Sequence, residues 1–391
     1  MVAKTHKMFP ATNRPQGDAS MQKLFLLVVW VFLMAHIAAT RYRTRSLVAV
    51  KPLNLFNILL MLPLIGLLGL RTAYNDTGTY IAGFQNAETL PSFFSNAENH
   101  DLLNNPLFNL YTSAVRTATD NYHIYFMLGA IFVVVLMVTF FSRISECDTY
   151  ALTIYTYLTL GTYFFALAAM KQTIAMAILC HSVLALRDRK HLHFLVLVLL
   201  AGLFHTYAWC FLVLLLLTGK PWKLRTFLVV AVTIFIMLTF NDSISALLEY
   251  GDTIGKGASE EAVFSGEGMS RLRVAVYGIV PVASLMFRRI LEPQMERKHY
   301  IMLHMSIVSF MFMLLASING ANMFGRMARY FEVGTIYMFP WMIRHLFNQR
   351  SQTIIVVAYI GAFGLFAAYQ YIGFDTSYSS ITLFEFLRSL I

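Results

Sequence analysis

The chain has 391 residues, of which 58% are hydrophobic and only 13% are charged. A soluble domain cannot bury that much apolar surface, and the apolar residues form runs of about 17–20, close to the length of helix that crosses a bilayer. The period-2 alternation of a membrane β-barrel is absent, so the sequence predicts an all-α fold, a polytopic bundle of about 10–12 transmembrane helices in a single domain, residues 1–391.

The formal net charge of +10 would suit a nucleic-acid partner, but the distribution of the basic residues argues against one. They stand in short segments between apolar runs, as expected for the cytoplasmic loops of a membrane protein. Acidic residues instead prevail in two longer segments, which we expect to be external: 71–122 and 241–270. The strongly basic segments are 41–51, 187–193, 219–225, 288–298 and 344–350.

The apolar runs follow a polar N-terminal tail, residues 1–21, whose charge ties with that of segment 41–51. The downstream loops break that tie and place the N-terminus outside. Because Met21 directly precedes the first apolar run, translation from Met21 is an alternative to translation from Met1. The predicted runs are 22–40, 53–70, 123–141, 149–169, 172–186, 194–218, 226–240, 272–287, 300–318, 328–343 and 353–372.

One of these stretches contains a lysine, in the sequence ALAAMKQTIAMAIL. Residues 149–186 are too many for one crossing at about 1.5 Å per residue, and both of their ends look cytoplasmic. The chain is therefore predicted to turn near Ala169–Gln172. Lys171 then lies at the outer end of a hairpin, where it avoids the cost of about 2.5–3.5 kcal/mol or more that a charge at mid-membrane carries.

The run 194–218 has basic segments on both sides. Two short helices that turn near Ala201–Tyr207 would keep both segments inside, with His205 near the tip. A single overlong helix is the alternative.

The external segment 71–122 is long compared with the other loops, which is typical of a functional or disordered region. Tyr80 and Phe84 are four residues apart and would share a helix face. Asp76 stands where it could cap that helix. The second external segment, 241–270, is rich in Gly and acidic residues and looks flexible.

Several basic residues fall on the side predicted to be external. Each of them singly could anchor the protein at lipid headgroups. Clustering on one face would instead indicate a shared anionic ligand. They are Arg71, Arg116, Lys171, Lys256, Arg271, Arg273, Arg326, Arg329 and Arg388.

In five short pieces, spread over most of the chain, the sequence resembles the EpsG family of exopolysaccharide polymerases, relatives of the Wzy-type O-antigen polymerases. The family usually has Arg-Gln where this chain has Lys171-Gln172, so the charge is kept but the forked hydrogen bonding of arginine is lost. The pieces are LRTAYNDTGTYIAGF, NPLFNLYTSAV, KQTIAMAIL, LFHTYAW and GRMARYFEVGTIYMFP.

The resemblance implies a glycosyltransferase that joins oligosaccharide repeat units carried on undecaprenyl diphosphate, at the outer face of the bacterial inner membrane. Related polymerases and ligases look like metal-independent inverting enzymes of the membrane-embedded C type (GT-C). The resemblance also implies a flippase and a chain-length regulator as partners, besides membrane lipid. Cys147, Cys180 and Cys210 lack the spacing of a disulfide or metal site, and no cofactor is expected.

A lipid diphosphate gains negative charge as it leaves, and fixed cations stabilise that charge. The candidates for the diphosphate site are Arg71, Lys171, Arg326 and Arg329; the last two are three residues apart and would point to one side of a helix. Asp76 and His205 are the candidates for activating the acceptor hydroxyl, alongside a mechanism without a dedicated base.

Tyr74 and Tyr80 are possible sugar-stacking surfaces. A transporter or flippase of lipid-linked oligosaccharide is the main alternative function, and it would more often show inverted repeats and charges near mid-membrane. No repeat is evident in the sequence. A polytopic scaffold protein is a third possibility, but it would not need buried outward-facing arginines.

Overall fold

A computed structural model describes residues 17–41, 50–96, 104–239, 269–317, 322–372 and 374–390. These ranges are almost entirely helical, which confirms the predicted all-α membrane protein. Their strands form a two-stranded antiparallel sheet, in which β1 (Arg71–Ala73) pairs with β2 (Ser379–Ser380).

The helices of the first half follow the predicted apolar runs, with three more in the external segment. Helix α1 begins at Gly17, so the last five residues of the predicted tail belong to it, and residues 1–16 lie outside the described ranges. The helices are α1 (Gly17–Arg41), α2 (Leu55–Gly69), α3 (Thr77–Gln85), α4 (Leu90–Ser95), α5 (Pro106–Ala118), α6 (Tyr122–Ile144), α7 (Tyr150–Thr159), α8 (Thr162–Ala168) and α9 (Met170–Arg187).

The second half continues the pattern, and 3₁₀ helices cover Thr206–Leu215 and Glu292–Gln294. Most of the predicted external segment 241–270 lies outside the described ranges, which resume at Met269. The α-helices are α10 (His191–Phe204), α11 (Leu224–Leu238), α12 (Arg271–Met286), α13 (Arg288–Leu291), α14 (Arg297–Ala316), α15 (Asn322–Leu346), α16 (Gln349–Gln370), α17 (Phe374–Ser377) and α18 (Leu383–Arg388).

Four described helices are individually long and apolar enough to cross a membrane: Gln22–Arg41 within α1, α6, α14 and α16. The number rises to six if two bent pairs each count as one crossing, namely α7 with α8, bent by 40°, and α12 with the segment Arg288–Gln294, bent by 72°. Several of the remaining apolar helices are shorter than a bilayer crossing requires. Every predicted run thus contains a helix, but many of these helices are bent or short.

The predicted turn before Lys171 is present. Helix α8 ends at Ala168, Ala169 is non-helical, and α9 starts at Met170. Between α7 and α8 the chain bends at Gly161, whose φ of +94° is a conformation that residues with a side chain rarely adopt. Lys171 is therefore the second residue of α9, directly after the turn that joins α8 to α9.

The run 194–218 also contains a turn. Helix α10 ends at Phe204, His205 has extended backbone angles, and the 3₁₀ helix Thr206–Leu215 packs back against α10. A Cβ on Gly202 would come within 2.6 Å of the Trp209 ring, so a glycine is needed where the two arms touch. The single overlong helix is wrong, and His205 lies at the turn.

Helices α14 and α15 form the most extensive pair in the bundle. Gly334 permits their close approach, because a Cβ there would come within 2.3 Å of the Met302 carbonyl oxygen. At one end of the bundle, Lys298 at the start of α14 pairs with Glu146 at 3.3 Å. This is the end that carries the predicted cytoplasmic segments, and the opposite end carries the side chains described next.

Candidate functional site

Elements from distant parts of the sequence meet at the opposite end of the bundle. The side-chain amide of Gln172, in the first turn of α9, donates a hydrogen bond of 2.7 Å to the carbonyl oxygen of Arg326 in α15. The amide N–H of Thr206 donates one of 3.2 Å to Asn105 Oδ1, which joins the start of α5 to the turn at His205. The motifs at residues 105, 172, 206 and 326 are therefore neighbours in space.

Arg71 is buried at this end, with its side chain only 2% exposed. Its guanidinium donates to the carbonyl oxygen of Leu68 and stacks over the Phe126 ring at 4.0 Å, while Nε has no partner within the described structure. Burial lowers the pKa of Arg71 to about 10, so the group stays charged at neutral pH. The pairing of β1 with β2 holds its backbone in place.

Lys171 and Arg326 both lie in the first two turns of helices, α9 and α15, and their charges repel each other. A helix N-terminus already carries partial positive charge, so cations there are unfavourable unless an anion joins them. In the described ranges, none of the ion pairs includes Arg71, Lys171 or Arg326. We refer to these three residues as the cationic cluster.

Asp76 and Tyr80 connect the external segment to the cationic cluster. Asp76 occupies the N-cap position of α3, but its exposed side chain makes no capping hydrogen bond. Its charge attracts that of Lys171. Burial raises the pKa of the Tyr80 hydroxyl, and the main-chain amide of Lys171 and the charges of Arg71 and Arg326 oppose that shift. The Tyr80 hydroxyl therefore lies close enough to the cationic cluster for the charges of Arg71 and Arg326 to act on it.

His205 is buried at the turn after α10, 6% exposed. Its Nδ1 shares a hydrogen bond of 2.6 Å with the hydroxyl of Tyr330, one turn beyond Arg326 on α15. The charges of Lys171 and Arg326 both act on its ring. Because Nδ1 is occupied, only Nε2 remains for contact with a ligand.

Arg329 differs from the expectation that it points the same way as Arg326. Arg326 is exposed, whereas Arg329 is buried and bound to the Glu332 carboxylate at 2.8 Å. Glu332 lies three residues further along α15, so the two side chains share a face. The hydroxyl of Tyr277 completes the group by donating to Glu332. Arg329 is thus neutralised inside the bundle and is no part of the cationic cluster.

The two sugar-stacking candidates also differ in their surroundings. The Tyr74 ring packs against Phe374 and Tyr378, with centroids 5.1 and 6.4 Å apart. It therefore belongs to an aromatic group formed by residues that adjoin β1 and β2 in the chain. Tyr80 instead lines an open pocket in the external segment.

Sequence reasoning named Gln172 only as part of a motif and gave no role to Asn105 or Tyr330. Each lies in a segment that carries the family resemblance, which is the signal that could have drawn attention to it. Their contacts span 101 to 154 residues of sequence and are invisible to local patterns.

Within the described part of the chain, no three His, Cys, Asp or Glu side chains lie together as a metal site requires. A family model described as the EpsG family matches residues 54–386, a range that contains every residue of the candidate site. Neither the curated proteins nor the solved structures include a match to this chain.

Proposed function

The chain belongs to the EpsG family of polysaccharide polymerases, and from that premise we propose that it joins oligosaccharide repeat units carried on undecaprenyl diphosphate. The proposed site faces the outer side of the bacterial inner membrane. The charge pattern supports this orientation, since the basic segments collect at the other end of the bundle.

The observation that carries the proposal is the cationic cluster. Arg71 contacts Met170, the neighbour of Lys171 in the chain, and Gln172 is hydrogen-bonded to the Arg326 carbonyl. None of the three cations forms an ion pair within the described ranges. Holding like charges together costs free energy unless an anion binds between them. A diphosphate fits this requirement, because arginine binds phosphate oxygens through forked hydrogen bonds. The helix N-termini of α9 and α15 add to the attraction.

In the proposed reaction, a hydroxyl oxygen of the acceptor unit attacks the anomeric carbon of the growing chain. The bond between that carbon and the diphosphate oxygen breaks, and its electron pair leaves with the lipid diphosphate. The cationic cluster stabilises the negative charge that develops on this leaving group. Attack opposite the leaving group inverts the anomeric centre, and the proposed transfer, of the GT-C type, needs no metal.

Asp76 is the proposed acceptor of the hydroxyl proton. Its carboxylate is exposed, free of a capping bond and attracted to Lys171. His205 is buried, hydrogen-bonded to Tyr330 and acted on by the positive charges of Lys171 and Arg326, which suits it to donate from Nε2 to the substrate rather than to take up a proton.

The lipid carrier has a candidate position as well. An apolar groove of about 540 Å³ is lined mainly by α1, α7 and α16, with Phe164 and Tyr371 among its lining residues. Both helices are long and apolar enough to cross a membrane, so the groove opens toward lipid. Its lining suits an isoprenoid chain, and we propose that the undecaprenyl tail lies there.

Purified protein supplied with a defined lipid-linked repeat unit tests the proposal. We expect a ladder of products that differ by one repeat unit, and no ladder from Arg326→Ala. Deletion of the gene should cause lipid-linked units to accumulate on the outer face of the membrane. A transporter would give no ladder in detergent, and its deletion would leave the units on the inner face.

A further inference from the structure

A second cavity lies in the external segment, beside the cationic cluster. It has a volume of about 370 Å³ and is lined by α3, α4, the turn between them, α5 and the first turn of α6. Such a volume is within the range of about 300–1,000 Å³ of ligand pockets. Its lining residues are Thr79, Tyr80, Gly83, Asn86, Ala87, Glu88, Phe93, Phe108, Asn109, Thr112, Ser113 and Tyr125.

The chemistry of this lining differs from that of the cationic cluster and of the apolar groove between α1 and α16. Aromatic rings stand beside amides, hydroxyls and the Glu88 carboxylate, and neither lysine nor arginine is among the described lining residues. A diphosphate would lack a counter-charge there, and an isoprenoid chain would cover the side-chain amide of Asn86 without offering it a hydrogen bond. An uncharged ligand with apolar faces and many hydroxyl groups can pack against the aromatic rings and form hydrogen bonds with the polar side chains of the lining.

Tyr80 separates the pocket from the cationic cluster. Its ring forms a wall of the pocket and packs edge-on against Phe108, with centroids 6.0 Å apart. The charges of Arg71 and Arg326 act on its hydroxyl, and the main-chain amide of Lys171 is near it. A ligand in the pocket is therefore one tyrosine ring away from a diphosphate held by the cluster.

We propose that this pocket binds a sugar ring of the repeat unit, while the cationic cluster holds the diphosphate. The inference rests on the proposed function and adds a subsite that fixes the oligosaccharide relative to the bond being formed. Tyr80 is a positioning residue in this arrangement, because it contacts the sugar and lies close to the cationic cluster.

Glycines on α3 provide a matched test. A Cβ on Gly83 would meet nothing within 4 Å, so the Gly83→Phe side chain can extend into the pocket without displacing the helix. Gly78, on the same helix, is equally unobstructed but does not line the pocket, which makes Gly78→Phe the control. Phenylalanine is also a better helix former than glycine, so neither change should weaken α3.

The probe is the lipid-free repeat-unit oligosaccharide, released by mild acid from the lipid-linked unit that accumulates in a strain lacking the gene. Saturation-transfer NMR with the purified protein should show binding by the wild type and by Gly78→Phe. We expect Gly83→Phe to weaken binding by at least about tenfold. Asn86→Ala should also weaken binding of the oligosaccharide, so that the conclusion does not depend on the correct folding of one variant.

Equal binding by Gly83→Phe and Gly78→Phe, or no binding by the wild type, would overturn the sugar pocket. The readout does not depend on polymerisation. A wild-type protein that binds the oligosaccharide but makes no ladder from the lipid-linked unit would contradict the polymerase proposal and leave the pocket in place.

Discussion

The side-chain amide of Gln172 donates a hydrogen bond to the main-chain carbonyl of Arg326 over 2.7 Å, and Gln172 is 1% exposed. This contact ties the N-terminus of α9 to that of α15. Lys171 and Arg326 are thereby held near each other although their charges repel. The neutral residue of the Lys171-Gln172 pair has a structural role, and the charged residue is left available for a ligand.

Replacing Gln172 with Met removes the donor while keeping the length of the side chain. We expect polymer synthesis to fall about tenfold or more, because the hydrogen bond between the two helices is lost and their ends can separate, at a cost of about 1 kcal/mol or more. The ladder assay measures the loss. Thr173→Val is the control, since the Thr173 hydroxyl bonds only to main-chain carbonyls at the start of its own helix. An equal loss in both variants would contradict a role for the Gln172–Arg326 hydrogen bond.

Lys171→Arg should retain polymerisation within about threefold, because the charge remains and a forked donor is gained. Lys171→Met should lower the rate about 100-fold, in line with the removal of one group that stabilises a developing anion. Inorganic pyrophosphate should inhibit the wild type and Lys171→Arg but inhibit Lys171→Met only weakly. Equal inhibition of all three proteins would show that Lys171 does not contribute to binding of the diphosphate.

Arg326 and Arg329 should respond differently to the same substitution. Arg326→Met should fold normally and lose activity, because Arg326 is exposed. Arg329→Met leaves the Glu332 carboxylate buried without its cation, which costs about 3–5 kcal/mol, and should sharply lower the unfolding temperature. The double variant Arg329→Met, Glu332→Gln should recover most of that stability. Normal melting of Arg329→Met alone would show that the ion pair does not stabilise the bundle.

Asp76→Asn should lower the maximal rate by about 10²–10⁴, the range of general base catalysis. Asparagine is as good an N-cap residue as aspartate, so α3 should remain folded. Asp120→Asn, which changes a largely exposed carboxylate in the same external segment, should leave the rate unchanged. Full activity of Asp76→Asn would favour transfer without a dedicated base.

Filling the apolar groove should impair the use of the lipid carrier. A Cβ on Gly361 meets nothing within 4 Å, so Gly361→Phe projects into the groove. We expect a higher KM for the lipid-linked unit, by about tenfold, with little change in the maximal rate. Ala362→Phe, on an exposed position of α16 outside the groove, is the control. Identical kinetics for the two variants would place the undecaprenyl tail elsewhere.

Much of the fold is predictable from the sequence because hydrophobicity is a local property. Every apolar run contains a helix, and the turns at Ala169 and His205 follow from counting charges at the ends of overlong runs. Many of the helices are nevertheless bent or short, since backbone bends depend on neighbours. Gly161, for example, faces the Tyr371 hydroxyl from more than 200 residues away.

The sequence by itself determined that this protein is an all-α membrane protein. It also identified the basic residues on the side predicted to be external. Only the tertiary structure decided which of them lie close together. It paired Arg329 with Glu332 inside the bundle, whereas Arg71, Lys171 and Arg326 form no ion pair within the described ranges. The physical reason is that charge interacts through space, between side chains that separate helices bring together.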